Sequence, residues 1–291
     1  MDFDPQDCAD LHIHSSASDG TLSPTEILSL ACDLKLGAIA ITDHDTLDGS
    51  RQAIAAGIPN GLGFVTGVEI STERPVFLPG KGSCHVLGYR VDPANSPLDQ
   101  TLQKLQSARR DRNPKILKRL QNLGFDLSME EVRQAAGHKG QIGRPHFAQV
   151  LLEKGYVDTF SAAFNQYLAT GKPAYVDKYR VGCPRAITLI REAGGIPVLA
   201  HPALLDTPGG RLEDAVVKAL VEMGLMGIEA HYTEHTAAQQ AHYLDLARRY
   251  GLMVTGGSDF HGDFKPRTKL GSGRGNLRVP IDLYYALSSH A

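Results

Sequence analysis

Short apolar runs alternate with amphipathic stretches through most of the chain. Asp10-Leu11-His12-Ile13-His14 reads as the first strand. Its side chains should alternate faces, with His12 and His14 on one and Leu11 and Ile13 on the other. Two imidazoles so placed can converge on one metal ion, and Asp10 could hold a ring nitrogen. A polar loop through Asp19-Gly20 follows. Ser23-Pro24-Thr25-Glu26 then opens a helix, with Ser23 as N-cap, Pro24 at the first position and Glu26 completing a capping box. Gly37 ends it. Ala38-Ile39-Ala40-Ile41-Thr42 is continuous in small and branched apolar residues, as in a buried strand. It runs into Asp43-His44-Asp45. A helix is expected over 49–56 and strands over 63–71 and 84–89. This order predicts a parallel α/β sheet or barrel, with its chemistry at the carboxyl ends of the strands.

From about residue 96 to 170 the pattern turns almost wholly helical, over 97–123, 128–136, 145–154 and 159–168. The earlier rhythm resumes with helices over 184–193, 211–223 and 237–250 and strands over 196–200, 227–231 and 252–255. An edge strand over 277–279 and a short helix close the chain. The expected organisation is a barrel of residues 1–95 and 171–291 interrupted by a helical insertion, 96–170. In the first insertion helix, Leu98, Leu102 and Leu105 form one apolar stripe. Arg109 and Arg112 continue that stripe and Ile116 resumes it. Guanidiniums at core positions reach out to water, pair with acids or meet an anion. Asn113-Pro114 couples an N-cap residue to a first-turn proline and predicts a kink or restart there. Gln141-Ile142-Gly143-Arg144-Pro145-His146 is a loop entering a helix. It is a capped turn or an anion site with Arg144 and His146 as contacts.

Composition narrows the function. The 291 residues, 42% hydrophobic, suffice for one large domain carrying an insertion. Thirty basic and 32 acidic residues give a net charge of -2, so nucleic-acid contact must be local and a long duplex is excluded as partner. Cys8, Cys32, Cys84 and Cys183 form no CxxC pair and read as reduced thiols of a cytoplasmic protein. The acidic N-terminus has no signal-peptide core, and no apolar run approaches the ~18 residues of a membrane span.

The acidic and imidazole residues decide the chemistry. His12, His14, Asp19, His44, Glu69, His85, His201, His231, Asp259 and His261 mostly lie at or just beyond strand ends. In a parallel barrel those ends share one rim. A buried crowd of carboxylates and imidazoles is costly to desolvate without cations, which predicts a metal cluster.

The motifs Asp10-Leu11-His12-Ile13-His14-Ser15, Thr42-Asp43-His44-Asp45, Gly67-Val68-Glu69-Ile70-Ser71, His85-Val86-Leu87-Gly88-Tyr89, Ala200-His201-Pro202 and Gly257-Ser258-Asp259-Phe260-His261 resemble, in order, those of the PHP (polymerase and histidinol phosphatase) family. The resemblance covers about residues 8–92 and 180–262. It implies an α/β fold, a distorted seven-stranded (β/α) barrel, with two to three divalent ions, manganese first and iron or zinc as alternatives. It further implies one ion on His12, His14, Glu69 and Asp259, a second on Glu69, His85 and His201, and a third on Asp19, His44 and His261. Several members have histidine where this chain has Asp19.

The implied reaction is hydroxide attack on a phosphorus ester, with His231 as candidate donor of the leaving-group proton. The insertion should cap the barrel mouth, making Arg109, Arg112, Asn113, Arg144 and His146 substrate contacts. Two cationic sites beyond the metals suit a substrate with two phosphates. In this the chain is similar to the family branch acting on nucleoside 3′,5′-bisphosphates, members of which also act on short RNA from the 5′ end. The alternatives are a 5′→3′ exoribonuclease, a histidinol-phosphate phosphatase and, in another class, a non-catalytic PHP module. The full ligand set counts against the last.

Overall fold

The computed structural model describes residues 4–78, 84–137, 141–205, 207 and 211–290. Its strands are β1 (Cys8–Ile13), β2 (Ala38–Ile41), β3 (Gly63–Glu73), β4 (Cys84–Tyr89), β5 (Val181–Gly182), β6 (Ile196–Leu199), β7 (Gly227–Tyr232), β8 (Met253–Gly257) and β9 (Val279–Pro280). They form one sheet in the order β8-β7-β6-β4-β3-β2-β1-β9, with β5 beside the far end of β3. The sheet curls until β8 meets β1. Asp259 N–H donates to the His12 carbonyl and His14 N–H to the Phe260 carbonyl, each at 2.9 Å. Gly257 permits that approach, because a β-carbon there would fall 2.3 Å from the His12 Cβ. The result is a mixed α/β fold around a nearly closed barrel of seven strands, the architecture the motifs imply.

The sheet is not wholly parallel, however. β4 runs antiparallel to both β3 and β6, and β9 antiparallel to β1. Reversal of β4 puts its amino end on the rim formed by the carboxyl ends of its neighbours. That is why His85, at the start of its strand, reaches the same mouth as residues at the ends of theirs. β1 also departs from simple alternation. Leu11 packs with Ala40, Val65, Leu87 and Val198 of the other strands, whereas Ile13 packs on Ile27, Leu28 and Ala31. A register irregularity between Asp10 and Ile13 breaks the period, so Leu11 and Ile13 do not share a face.

The helices are α1 (Pro24–Asp33), α2 (Asp48–Ala56), α3 (Ser96–Asn122), α4 (Met129–Ala135), α5 (Arg144–Glu153), α6 (Phe160–Ala163), α7 (Cys183–Glu192), α8 (Asp214–Glu222), α9 (Ala237–Tyr250) and α10 (Ile281–Ser289). The Ser23–Glu26 capping box forms at the start of α1. A π-turn, Phe164–Leu168, continues α6. α3 runs unbroken through Pro114, so the expected restart does not occur. Asn113 does not cap; its side chain donates to the Ile142 carbonyl at 2.9 Å. α3 ties two cores together. Leu98, Leu102 and Leu105 enter the outer core of the barrel with Ile187 and Ile190, while Ile116 and Leu120 enter a separate core with Phe147, Leu151 and Leu168. Each fully buried leucine contributes about 1.5–3 kcal/mol, so the junction is strongly anchored at both ends. Arg109 and Arg112 lie between the two cores, above the barrel mouth.

Candidate metal centre

Glu69, projecting inward from β3, is the hub of the mouth. One of its oxygens lies 3.5 Å from His12 Nε2, 3.3 Å from His14 Nε2 and 3.0 Å from His44 Nδ1. The other lies 2.8 Å from both His85 Nδ1 and His201 Nε2. Asp259, after β8, places Oδ1 3.2 Å from His14 Nε2 and 3.4 Å from His261 Nδ1. Asp19 lies 3.7 Å from His14, 3.9 Å from His44 and 3.6 Å from His261. All nine expected ligand residues therefore converge, in groups whose candidate donor atoms lie within 4.8 Å of one another.

The donor set fits divalent cations. His12 Nε2 and His14 Nε2 face each other at 3.2 Å, a spacing that needs a proton or a cation between them. His14 Nδ1 and His201 Nδ1 are buried without a hydrogen-bond partner. Nitrogen and oxygen donors without thiolate suit manganese, iron or zinc. Burial would push the Glu69 and Asp259 carboxyls up. His44, His85 and His12 around Glu69, and Lys265 and His261 beside Asp259, hold both well below the usual range instead.

Residues around the cluster were less legible. Asp10 touches neither ring. It accepts from the Ser258 and Gly271 N–H groups, tying β1 to the loops after β8. Glu229 of β7 holds His12 instead, at 2.9 Å from Nδ1, and accepts the His201 N–H at 2.6 Å. Asp259 Oδ2 accepts from Tyr232 at 2.9 Å and from Lys265 at 2.6 Å. Backbone conformation adds local cost. Asp45, His201 and Asp259 have φ of 57°, 26° and 56°, each roughly 1–3 kcal/mol for a residue with a side chain.

The structure does not bring His231 to the cluster. A register irregularity between Glu229 and His231 turns Tyr232 toward Asp259, while the His231 ring meets Gln240 of α9 at 3.2 Å. Burial pushes its imidazole down, which does not favour a standing proton. That placement does not support the expected role of His231 as proton donor.

Above the mouth, Arg109 donates to Asp45 Oδ2 at 2.6 Å, and Lys178 reaches the same oxygen at 3.3 Å. Burial pushes Lys178 down to about 8 against the pull of Asp45. Arg112 is only 5% exposed and its described side-chain hydrogen bond goes to Asn113, a neutral group. Burial, then Arg109 and Arg144, push its guanidinium down from its ordinary value. Arg144 donates to the Leu168 carbonyl at 3.0 Å and lies over the Tyr175 ring; burial pushes it down too. His146 Nδ1 accepts the Gly143 N–H at 2.8 Å, making the entry to α5 a box closed by an imidazole. Gly143 bridges the two regions: a β-carbon there would lie 3.5 Å from Arg109 Nη1 and 4.0 Å from Asp19 Oδ2. Lys178 was missed because nothing in its local pattern marks it. Glu229 lies in a recognised strand, two residues from the histidine that drew the reading.

A ring of buried imidazoles and carboxylates at the mouth of such a barrel defines a metal-dependent hydrolase. The PHP domain model matches residues 10–179, and the chain belongs to that family, whose members of this kind are metal-dependent phosphoesterases. It is similar to the 3′,5′-nucleoside bisphosphate phosphatase of Chromobacterium violaceum, 32% identical over 87% of this chain and 86% of the relative. It is similar to a 5′-3′ exoribonuclease of Haemophilus influenzae, 33% identical over 87% and 89% of the two chains. Among solved structures, a candidate metal-dependent phosphoesterase from Bifidobacterium adolescentis superposes with a TM-score of 0.83 at 30% identity, covering 96% of this chain and 94% of the other.

Proposed function

We propose that the protein hydrolyses a phosphate monoester of a nucleotide that carries a second phosphate. The leading substrates are nucleoside 3′,5′-bisphosphates, and the products are inorganic phosphate and a nucleoside monophosphate. His12, His14, Glu69 and Asp259 would hold one ion, Glu69, His85 and His201 a second, and Asp19, His44 and His261 a third. Divalent ions, manganese first and iron or zinc as alternatives, supply hydroxide near neutral pH and neutralise phosphate oxygens.

The observation that carries the choice of substrate is Arg112, buried with a neutral partner and with Arg109 and Arg144 beside it. A buried charge without a counter-ion is costly, on the order of several kcal/mol. A phosphate there would remove that cost and accept the guanidinium's fork of hydrogen bonds. Asp45 restrains Arg109 and Lys178 at the boundary between this cationic pocket and the cluster. One phosphate would thus sit at the cluster while the other is gripped by Arg112 and Arg144.

A second reading, 5′→3′ removal of nucleotides from short RNA, draws support from a groove of ≈ 420 Å³ beside the site. Gln106, Arg110, Asn113, Arg133 and Gln141 line it, leaving room for a further nucleotide. Phosphate release from adenosine 3′,5′-bisphosphate, measured with manganese against mononucleotide release from 5′-phosphorylated RNA, separates the two. Faster bisphosphate turnover is expected. Faster RNA turnover would replace the first reading by the second, and inactivity on both would reject each.

A further inference from the structure

Strand β7 supplies none of the nine clustered residues, yet its Glu229 is fully buried among them. Given that the cluster holds metal ions, we infer that Glu229 is a positioning residue that fixes two ligands on different strands at once, His12 on β1 and His201 after β6. Glu229 Oε1 lies 2.9 Å from His12 Nδ1, and Oε2 accepts the His201 N–H at 2.6 Å. An ionised carboxylate only accepts. Nδ1 of His12 must therefore carry its hydrogen, which leaves Nε2 directed at Glu69 and Asp259, 3.5 Å and 3.8 Å away. Such a bond fixes both the tautomer and the angle of a ligating ring.

The second bond acts on backbone. His201 has φ of 26°, outside the basins that residues with side chains prefer. Its buried N–H would be unpaired without Glu229, and its Nε2 must stay within reach of Glu69, 2.8 Å away. The irregularity in β7 serves the same end, since it brings Tyr232 as well as Glu229 toward the ligands. A strand that contributes no ligand thereby sets the position of His12, His201 and Asp259.

Replacement by an amide cannot satisfy both bonds. If the glutamine NH₂ faces His201, two donors meet and a buried N–H is stranded. If it faces His12, the ring must present a lone pair at Nδ1, and the hydrogen moves to the nitrogen that should ligate.

The test uses the full chain, stripped of metal and titrated with manganese chloride by calorimetry. Glu229→Gln should lower manganese affinity by roughly 10–100-fold. Tyr232→Phe, which removes one bond to Asp259 alone, should lower it less. The zinc-loaded wild type gives a reading that needs no variant: ¹⁵N spectra of its histidines should show His12 bound through Nε2 with hydrogen on Nδ1. A Glu229→Gln protein that binds manganese as the wild type does would overturn this role alone, as would a His12 bound through Nδ1. A wild type that binds neither manganese nor zinc would overturn the metal reading itself.

Discussion

At the barrel mouth, Asp19, Glu69 and Asp259 are interleaved with six imidazoles, so each of these nine side chains has a group of the complementary kind within about 4 Å. Above it, Arg109 and Lys178 share Asp45, while the described hydrogen bonds of Arg112 and Arg144 go to neutral groups. The first region is suited to cations, and on the proposed reading the second would take an anion. Strand ends hold the first; a helix anchored in two cores and the loop entering α5 hold the second. On that reading chemistry and selectivity rest on different elements, so each should be open to disturbance without unmaking the other.

The largest disturbance should come from Glu69→Gln. It weakens contacts to five imidazoles at once, and phosphate release measured with manganese should fall by ~10³-fold or more, beyond the roughly 10–100-fold of a change one layer out. Arg112→Met should act on the other region. Loss of a charge-assisted contact worth about 1.5–3 kcal/mol should raise KM for a bisphosphate by roughly 10–100-fold, while turnover of a substrate with one phosphate changes little. The same variant should unfold at an equal or higher temperature, because an uncompensated buried charge is gone.

A smaller effect is expected from pH. Burial lowers the Lys178 ammonium to about 8, so its charge is present below that value and lost as pH rises through it. KM for the bisphosphate should climb above pH ~8, and Lys178→Arg should flatten the climb, since a guanidinium keeps its proton. The smallest effect belongs to His231→Ala. Its ring faces Gln240 rather than the cluster, so kcat should change by less than about 3-fold, within the reach of indirect packing effects.

The elements most legible in the sequence were those where one residue type has one plausible use. The nine expected ligand residues mostly stand at or just beyond strand ends, and the Ser23–Glu26 capping box and the Leu98-Leu102-Leu105 stripe place α1 and α3 closely. The direction of β4 was hidden, because a strand reads the same either way and only pairing decides it. The Asn113-Pro114 pair misled, since proline fits the interior of a long helix whose neighbours fix it. Irregularities in β1 and β7 were invisible to a strict period of two. One of them exchanged His231 for Tyr232 at the mouth. Glu229, Lys178 and Tyr232 gain their roles from partners far away in the chain, which no local pattern announces.

The central claim is that the insertion holds one phosphate while the barrel acts on another. A crystal structure of the manganese-loaded protein with AMP, a nucleoside monophosphate of the kind the leading reaction releases, tests it most directly. The AMP phosphate should lie within hydrogen-bond distance of Arg112 and Arg144, with the ribose directed at the cluster. AMP bound with its phosphate away from both arginines would contradict it.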